Sequence, residues 1–463
     1  MIDRMQLVEP QVTPPLDTQF RPAALANRAF RNETTGVGVP LSIGLEREGG
    51  KRTRFQTTVF PEDHPKAEKN FYYVERLVKF LLWQRGGFRL TIGGSQSLGE
   101  RIRLAYSNKG AHSFDCRFMA EQVFERPFSV EICEADDVPA ANEGGEVRGA
   151  HLDGRRIGFD LGASDRKVSA VVDGKVIFSE EKIWNPSSQT DPAYHYREIM
   201  DSLQAAAAKL GHVDAIGGSS AGIYINNRPM VASLFRGIAS ERMPEVRDMF
   251  LRMGEELDAP LVAINDGDVA ALAGSMSLED NGVLGIALGS SEAGGYVDGS
   301  GRILGWLNEL SFAPVDYSPT ASIDEWSGDM GCGSTYFSQQ CVFRLAPAAG
   351  IELPHSAPNA EKLAFAQQRL EAGDPGAARI WRTMGVYLGY GIAHYAEFYD
   401  LKHVMILGRC TSGSGGTVML EEIEHVLGSE FPDLVPRIQV HLPDERSRRV
   451  GQAIAAASLP TLR

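Results

Sequence analysis

The stretch that decides the fold is Ile157 to Lys167, IGFDLGASDRK, in which an apolar strand ends at an acidic residue followed by a corner of small residues. The acidic residue is Asp160, and the corner is Gly162-Ala163-Ser164. Without bulky Cβ atoms in the corner, backbone N–H groups can approach an anion such as a phosphate. The sequence therefore predicts a phosphate-binding turn beside a carboxylate.

The chain continues from this corner as a predicted hairpin. Its strands are Lys167–Val172 and Lys175–Ser179, and Asp173-Gly174 between them is a favoured two-residue turn. A hairpin that binds phosphate in its turn, with Asp160 to manage a magnesium ion, suits ATP chemistry. An ordinary hairpin, in which Asp160 is only a turn residue, explains this segment equally well.

Length, charge and cysteine content limit the possible function classes. The 463 residues have room for two or three domains, and the 43% apolar content can build sizeable cores. A net charge of -14, without a dense run of Lys and Arg, argues against nucleic acid and membrane as partners. Five scattered cysteines, no apolar core for a signal peptide and no membrane-length apolar run predict a cytoplasmic protein.

The N-terminal part is predicted to be a small α/β domain, residues 1–135, without a recognisable signature. Residues 1–55 are interpreted as an arm with one or two strands. An amphipathic helix begins at Asn70, and a shorter helix is predicted over Leu98–Tyr106. The polar, Gly-rich segment Asp136–Gly154 is predicted to be a linker.

Helices and strands alternate after the hairpin, as in an α/β sheet. The predicted elements are a helix from about His195 to Leu210, a strand Val213–Ile216, a helix Met243–Leu257 and a strand Pro260–Ile264. The last strand ends in Asn265-Asp266, and open α/β sheets place their sites at such strand ends. A turn or capping role for Asp266 remains an alternative.

Two further glycine-rich corners follow. The strand-turn-hairpin pattern recurs in Val283–Gly295, VLGIALGSSEAGG, with a hairpin over Tyr296–Ile303. The third corner is Gly408–Gly416, between a strand His403–Leu407 and a helix from about Val418.

These corners, in the order hairpin, hairpin, strand-to-helix, resemble the superfamily of sugar kinases, actin and heat-shock ATPases. Residues 155–463 resemble, more closely, the ROK family of bacterial repressors and sugar kinases. The matching motifs are Asp160-Leu-Gly-Ala-Ser164 (first phosphate motif), Gly217–Gly222 (sugar loop), Asn265-Asp266 (catalytic pair), Leu288–Gly295 (second phosphate motif) and Met405-Ile-Leu-Gly408 (adenosine strand).

The resemblance implies a two-lobed, actin-like (ribonuclease H-like) α/β ATPase fold with a cleft that closes on ATP, magnesium and a polyol. We predict an N-terminal accessory domain in residues 1–135, a linker in 136–154, a first lobe in 155–264 completed by the C-terminal helix 446–463, and a second lobe in 265–445.

The same resemblance implies roles for individual residues. Asp266 would be the general base, Asn265 would orient the sugar, and Asp160 would hold Mg²⁺ directly or through water. The implied substrate contacts are Asn265, Glu309, Gly218, Ser219, Arg236 and Ser334. The implied nucleotide contacts are Asp160, Gly162, Ala163, Ser164, Gly289, Ser290, Ser291 and Gly408.

The chain departs from the family at the sugar and zinc positions. Of the family's Glu and His at the sugar, only Glu309 is present, because Phe312 replaces the His. In Glu325–Ser334 only Cys332 keeps a thiol, and Ser334 replaces a second sugar-binding Glu. We therefore expect no structural zinc, which needs about four ligands, and an acceptor other than plain glucose. Glu292, in the second phosphate loop, would repel phosphate if it faced the cleft.

Three functions remain in competition. The leading hypothesis is an ATP-dependent kinase of a sugar or polyol, acting as a homodimer. The alternatives are a ROK-like regulator or sensor that binds sugar without phosphoryl transfer, and an ATPase used as a conformational switch. The mixed α/β pattern of residues 1–135 disfavours a DNA-binding regulator. Arg236 could bind an anionic substituent such as that of a sugar acid, or be an ordinary surface arginine.

Overall fold

The computed structural model describes residues 5–144, 149–443 and 445–462. The strands are β1 (Val39–Glu46), β2 (Arg52–Val59), β3 (Arg89–Gly93), β4 (Ser129–Cys133), β5 (Arg155–Leu161), β6 (Asp165–Val172), β7 (Lys175–Ile183), β8 (Ala215–Ser220), β9 (Ile223–Ile225), β10 (Arg228–Val231), β11 (Leu261–Asn265), β12 (Val283–Leu288), β13 (Glu292–Val297), β14 (His403–Leu407) and β15 (Gln439–His441).

The α-helices alternate with these strands through most of the chain. They are α1 (Ala23–Thr34), α2 (Lys69–Arg85), α3 (Gln96–Ala105), α4 (Ser113–Arg117), α5 (Pro192–Leu210), α6 (Met243–Arg247), α7 (Met249–Glu256), α8 (Asp266–Leu278), α9 (Gln339–Leu345), α10 (Asn359–Glu371), α11 (Pro375–Tyr395), α12 (Gly415–Glu430) and α13 (Glu445–Ala457). None of the helices in the described ranges has both the length and the apolar character that crossing a membrane requires.

The chain divides into two compact units. Unit 1 consists of Met1–Gly144, Ile286–Gly294 and Trp306–Leu442, and unit 2 of Gly145–Gly285, Gly295–Gly305 and Pro443–Arg463. This division differs from the predicted one, because the N-terminal residues belong to the same unit as most of the predicted second lobe.

Unit 2 is built on a five-stranded sheet with the order β11-β8-β5-β6-β7. Strands β5, β8 and β11 are parallel, and β6 and β7 continue from β5 as an antiparallel meander. The carboxyl ends of the three parallel strands therefore lie side by side at one edge of the sheet, which we call its carboxyl edge.

The turn of the predicted hairpin has positive φ at both Asp173 (47°) and Gly174 (75°), as a favoured two-residue hairpin turn requires.

Helix α13 lies directly on this sheet because small residues face it. A Cβ atom on Gly217 would overlap the carbonyl oxygen of Ala456, and one on Gly158 would overlap that of Ala453. The C-terminal helix is thus held by unit 2, far along the chain from β5 and β8.

Two further sheets have four strands each, with the orders β2-β1-β3-β4 and β13-β12-β14-β15, and the first of them lies wholly in unit 1. The first is the sheet of the N-terminal residues, and in the same unit α11 packs closely against α12, with Gly385 and Gly389 facing Met419 and Val426. Aromatic pairs join the N-terminal residues to the rest of the unit, namely Phe20 with Tyr387 (ring centroids 4.7 Å apart), Phe80 with Phe398 (3.9 Å) and Trp83 with Phe312 (4.1 Å).

The predicted arm contains a helix that the sequence pattern did not reveal. Helix α1 follows Pro22 and has no side-chain cap at its N-terminus. Its Arg31 pairs with Glu397, which follows α11, at 2.6 Å. Tertiary contacts within unit 1 thus support this helix.

The described part of the predicted linker packs against the N-terminal sheet. The methyl groups of Val138 fill the space beside Gly44 and Gly93. A Cβ atom on either glycine would be too close to these methyl groups. Glu143 accepts hydrogen bonds from Thr53 (2.6 Å) and Arg85 (2.9 Å). Residues up to 144 are therefore part of unit 1, whereas residues 145–148 lie outside the described residues.

The predicted helix over 243–257 is interrupted. Asp248 separates α6 from α7, with φ −98° and ψ 8°, outside the helical range. The hairpin predicted over Tyr296–Ile303 is wrong in its second strand, because β13 ends at Val297 and the described residues from 298 to 303 form one isolated bridge, between Val297 and Ile303. The other helices and strands predicted beyond residue 155 are present, with ends shifted by a few residues.

Candidate functional site

The first group of candidate residues lies at the carboxyl edge of the unit 2 sheet. In the parallel register Asp160 of β5 is opposite Ser219 of β8, and in the antiparallel register it is opposite Lys167 of β6. Asp266 and Asn265 lie at the end of β11, where α8 begins. The fold thus brings together in unit 2 residues that are about 100 positions apart in the sequence.

Asp160 is half-buried, and its charge is balanced by its neighbours. Burial raises the pKa of Asp160, while the Ser219 hydroxyl and the Lys167 ammonium oppose this rise. The Nζ atom of Lys167 lies 4.0 Å from Asp160 Oδ2 and 2.7 Å from Asp165 Oδ1. Mg²⁺ is commonly held by one or two carboxylates together with substrate phosphates, so Asp160 fits such an ion.

Asp266 has the chemistry of a general base. Burial, and then the like charge of Asp160, raise the pKa of Asp266 to about 6, although the Gly267 backbone N–H lowers it. That N–H donates to Asp266 Oδ1 at 3.0 Å. A carboxylate whose pKa lies near neutrality is ionised at pH 7 and still basic enough to accept a proton.

Both polar atoms of the Asn265 side-chain amide form hydrogen bonds within unit 2. Its Nδ2 donates to the Gly222 carbonyl at 2.8 Å, and its Oδ1 accepts from the Gly267 N–H at 2.7 Å. Asn265 is therefore the N-cap of α8 and also fixes the turn after β8. These bonds hold Asp266 at the start of the helix.

The first phosphate turn is exposed at Ala163 and Ser164. The Gly162 N–H donates to the Asp165 carbonyl at 2.9 Å, and the Ser164 hydroxyl donates to Asp165 Oδ2 at 3.1 Å. Gly162 therefore closes the turn, and its N–H does not point to an open anion site as the sequence suggested.

Gly218 and Arg236 are two further predicted substrate residues of unit 2. Gly218 is buried inside β8, where a Cβ would overlap the ring of Phe159, so this substrate contact is corrected to a packing position. Arg236 is exposed and follows a short 3-10 turn, Ser233–Phe235.

The second phosphate turn, Gly289-Ser290-Ser291, belongs to unit 1 and joins β12 to β13. Ser290 and Ser291 are exposed. The Ser291 hydroxyl lies 2.6 Å from that of Ser311, and the Gly289 N–H donates to the Ser291 carbonyl at 3.1 Å. The turn is thus short and internally hydrogen-bonded.

Glu292 points into unit 1 and away from solvent. The Tyr395 hydroxyl donates to its Oε1 at 2.8 Å, and the side chain is 2% exposed. Burial raises the pKa of Glu292 to about 8, although the Tyr395 hydrogen bond opposes this rise. Glu292 is therefore mostly a neutral acid at pH 7 and does not repel a phosphate.

Gly408, at the end of β14, lies against the end of β12. Its φ is +97°, and a Cβ there would overlap the Leu288 carbonyl group. Only glycine meets both conditions without strain. The two strand ends that carry the predicted nucleotide residues of unit 1 are therefore in contact.

The predicted sugar residues of unit 1 are bound to neighbours within the unit. Glu309 is half-buried, and its N–H donates to the Trp83 carbonyl at 3.1 Å. The Ser334 hydroxyl donates to Asp324 Oδ1 at 2.8 Å. Phe312, which replaces the family's His, stacks on Trp83 and takes part in core packing.

The donor atoms around Cys332 do not fit zinc. Cys332 is a buried thiol, and a structural zinc site needs about four ligands. In the described ranges, no group of three His, Cys, Asp or Glu side chains is arranged to hold a metal ion.

Three residues that contact the candidate residues were not predicted from the sequence, namely Lys167, Asp165 and Asp324. A signal existed for Lys167, because the predicted hairpin places it opposite Asp160. For Asp324 no pattern pointed to the hydrogen bond with Ser334, since that contact depends on the conformation of a loop.

Comparison with known proteins supports the fold. No protein-family model and no curated protein matches the sequence. Among solved structures, a ROK hexokinase from Thermus thermophilus matches with a TM-score of 0.50 and 18% identity, over 65% of this chain and 97% of the other. A ROK family transcriptional regulator, a homolog of the E. coli MLC protein, matches with a TM-score of 0.51 and 19% identity, over 66% and 79%.

A ROK family glucokinase from Streptomyces griseus, in complex with glucose and AMPPNP, matches with a TM-score of 0.47 and 20% identity, over 65% of this chain and 99% of the other. The first two likenesses confirm the predicted fold class, the α/β actin-like ATPase fold of ROK proteins. Kinases and a regulator share this fold, so fold alone does not define the activity.

Proposed function

We propose that the protein is an ATP-dependent kinase that phosphorylates a hydroxyl group of a sugar or a related polyol. The observation that carries this proposal is the pairing of Asp266, whose pKa is raised to about 6, with Asp160 at the carboxyl edge of the unit 2 sheet. A base and a cation-binding carboxylate are the two groups that phosphoryl transfer to an alcohol needs from side chains.

In this proposal Asp266 accepts the proton of the attacking hydroxyl, and the hydroxyl oxygen forms the new bond to phosphorus as the bond to the leaving nucleotide breaks. Asn265 keeps Asp266 in place through the N-cap of α8. Bound Mg-ATP supplies the phosphoryl group and neutralises its charge. Asp160 would hold the magnesium, and Lys167 would add a positive charge next to it.

The proposed nucleotide contacts are the exposed turns and Gly408. Ala163 and Ser164 in unit 2, and Ser290 and Ser291 in unit 1, offer hydroxyl and backbone groups at turns without bulky side chains. Gly408 is proposed to lie beside the adenine, as the resemblance implies, at the point where the end of β14 packs against Leu288. The neutral state of Glu292 removes the electrostatic objection to phosphate at the second turn.

We propose an acceptor other than plain glucose. Of the positions that the resemblance assigns to sugar, Phe312 is engaged with Trp83 and Ser334 with Asp324. Of the Glu, the His and the second Glu that the family places at the sugar, only the first is kept, as Glu309. A hydroxyl left without a partner in a buried site costs about 1–3 kcal/mol, so glucose bound in the usual manner would lose affinity.

A regulator is the second candidate, because one of the matching structures is a ROK transcriptional regulator. The N-terminal residues argue against it. Over the described residues 5–144 they form a four-stranded sheet with helices, packed as part of unit 1, and no separate helix-turn-helix module is present in that range.

An ATP turnover assay with a panel of hexoses, polyols and sugar acids tests the proposal. We expect acceptor-dependent ADP formation, with a sugar other than glucose as the best substrate. Binding of sugar without turnover would favour a sensor, and turnover without any acceptor would favour a conformational ATPase. Glucose as best substrate, at a kcat/KM of about 10⁴ M⁻¹s⁻¹ or more, would contradict the proposed acceptor.

Magnesium dependence, a homodimer and a cytoplasmic location are part of the same proposal. All five cysteines are free thiols, which agrees with a reducing compartment.

A further inference from the structure

Helix α2 contacts the loop that the resemblance identifies with the family's zinc loop. The contact is made by Asp329, whose carboxylate accepts hydrogen bonds from Arg76 Nη1 at 3.2 and 3.1 Å. The Nζ atom of Lys79, one turn further along α2, lies 3.1 Å from Asp329 Oδ2. Two cations of α2 therefore bind one carboxylate of the loop.

These residues belong to a larger set of buried charges in unit 1. Lys79 also donates to Asp115 at 3.1 Å, and Asp115 accepts from Trp83 Nε1 at 3.0 Å. His112 bridges Asp115 and Glu75, which in turn pairs with Arg76. We call the six ionisable side chains the α2 charge network: Glu75, Arg76, Lys79, His112, Asp115 and Asp329.

The α2 charge network is buried and balanced. Lys79 and Asp115 are each 1% exposed, whereas Asp329, at the loop, is 18% exposed. With His112 protonated there are three positive and three negative groups. A buried charge is stable only with such partners, and the loop carboxylate is one that Arg76 and Lys79 share.

The loop itself is closed by a second carboxylate. Asp324 Oδ2 accepts from the backbone N–H and the hydroxyl of Ser327, both at 2.7 Å, and its Oδ1 accepts from Ser334. The Asp324 N–H donates to the Asp329 carbonyl at 2.8 Å. Asp324 thus closes the loop, and Asp329 attaches it to α2.

Helix α2 also holds the segment that carries Glu309. The carbonyls of Gln84 and Trp83, at its C-terminal end, accept from the N–H groups of Asn308 (2.9 Å) and Glu309 (3.1 Å). Both unit 1 segments that the resemblance assigns to sugar contact are therefore supported by the same N-terminal helix.

We propose that Arg76, Lys79 and Asp329 position the 324–334 loop in the place of a bound zinc ion. They are positioning residues, since none of them is proposed to touch the substrate. Helix α2 would thereby make the N-terminal residues part of the acceptor-binding apparatus, and this last step rests on the proposed kinase function.

Hydrogen exchange on the full-length chain tests the positioning role. Asp329→Asn keeps the side-chain shape, removes the charge and leaves the pair of Lys79 with Asp115 intact, so this variant is expected to fold. Amides of the loop, among them those of Asp324, Gly328 and Gly331, should exchange at least tenfold faster. Lys79→Met is the more severe variant, because it leaves Asp115 and Asp329 without their shared cation.

Lys69→Met is the matched control. Lys69 is on the same helix, but its ammonium binds Glu33 at 3.2 Å and is not part of the α2 charge network. Exchange in the 324–334 loop should match the unsubstituted protein in this variant. Equal exchange of the loop in Asp329→Asn and in the unsubstituted protein would overturn the proposal.

Metal analysis provides the second test. The purified protein should contain no stoichiometric zinc, and a chelator should leave the exchange of the loop unchanged. About one zinc per chain, or faster exchange of the loop on chelation, would overturn the proposal.

Kinetic measurements distinguish the positioning role of Asp329 from the proposed kinase function. With an accepted substrate, Asp329→Asn should raise KM at least fivefold and change kcat less than threefold, whereas Lys69→Met should change neither. If no acceptor is phosphorylated, the kinase proposal fails, while the exchange and metal results still decide the positioning role.

Discussion

At the scale of single residues, the central feature is that two carboxylates share one sheet edge. Asp160 raises the pKa of Asp266, after the larger effect of burial, and Lys167 and Ser219 keep the pKa of Asp160 lower than it would otherwise be. Both pKa values are raised, because burial disfavours the ionised form of each carboxylate. Shifted acids at the ends of strands are candidates for a functional site.

We predict that Asp266→Asn lowers turnover by about 10²–10⁴, the usual contribution of a general base, while nucleotide binding is retained. Steady-state kinetics and nucleotide titration measure the two effects. Glu255→Gln, an exposed carboxylate of α7 in the same unit, is the control and should leave turnover unchanged. Unchanged turnover in Asp266→Asn would remove Asp266 from the mechanism.

The raised pKa of Asp266 also has consequences for pH dependence. The rate should fall as the pH drops through about 6, because the protonated acid cannot accept a proton. The stability of the folded state changes in the opposite direction and falls as the pH rises to about 6, since a raised pKa means that the ionised form is unfavourable in the folded state. Asp266→Asn should therefore raise Tm at pH 7.5, and this gain should shrink as the pH falls below 6.

Glu292 allows a second prediction on pH. Because its pKa is raised to about 8, the native state keeps a proton that the unfolded chain loses near pH 4.3, and stability falls as the pH rises from there to about 8. Glu292→Gln should remove this fall, so that its Tm exceeds that of the unsubstituted protein most clearly at pH 9. Thermal unfolding between pH 5 and 9 measures it.

The control for this experiment is Glu361→Gln, an exposed residue in the first turn of α10. It should follow the unsubstituted protein at every pH. A constant difference between Glu292→Gln and the unsubstituted protein across this range would show that Glu292 is not a buried acid.

At the scale of elements, glycines decide which helices can dock on the unit 2 sheet. We predict that Gly217→Ala destabilises the protein by more than about 3 kcal/mol, because the new Cβ would overlap the backbone of Ala456 in α13, which cannot move aside as a side chain can. Denaturant unfolding measures the change.

Gly428→Ala in α12 is the contrasting substitution. No atom lies within 4 Å of the position of its Cβ, and the residue is exposed inside a helix. This variant should be stabilised by about 0.5–1 kcal/mol. Equal effects of the two substitutions would mean that α13 does not pack on β8 as described.

The elements of unit 2 could be predicted from the sequence because their signals are local. The Asp173-Gly174 turn, the apolar strands and the residues at strand ends are each visible in a few consecutive residues. Helix α1, the break at Asp248 and the packing of the segment around Val138 were not predicted. Each depends on contacts with residues distant in the sequence, which local propensity does not record.

The candidate site could be predicted to a similar extent. Asp160, Ser219 and Asp266 were predicted and are brought together in unit 2, whereas Gly218 proved to be buried packing. The buried orientation of Glu292 and the hydrogen bond from Ser334 to Asp324 could not be predicted, because rotation of one side chain decides each of them.

At the scale of the whole molecule, residues 5–144 pack into the core of unit 1. Phe20, Phe80 and Trp83 cover the aromatic rings of Tyr387, Phe398 and Phe312, and Gln11, Arg28 and Arg31 bind Glu430 and Glu397. Removal of the N-terminal residues would expose these rings and leave buried carboxylates without their cations.

We predict that a chain starting at residue 149 does not fold alone, although it contains the whole region that resembles ROK proteins. Exposed aromatic surface and unpaired charges would make it aggregate or unfold without a cooperative transition. Co-expression of residues 1–144 as a separate chain should restore a soluble complex, because the contacts do not depend on the covalent link. Circular dichroism and thermal unfolding compare the fragment, the complex and the full chain. A cooperative transition of the isolated fragment, at the Tm of the full chain, would show that the N-terminal residues are an independent domain after all.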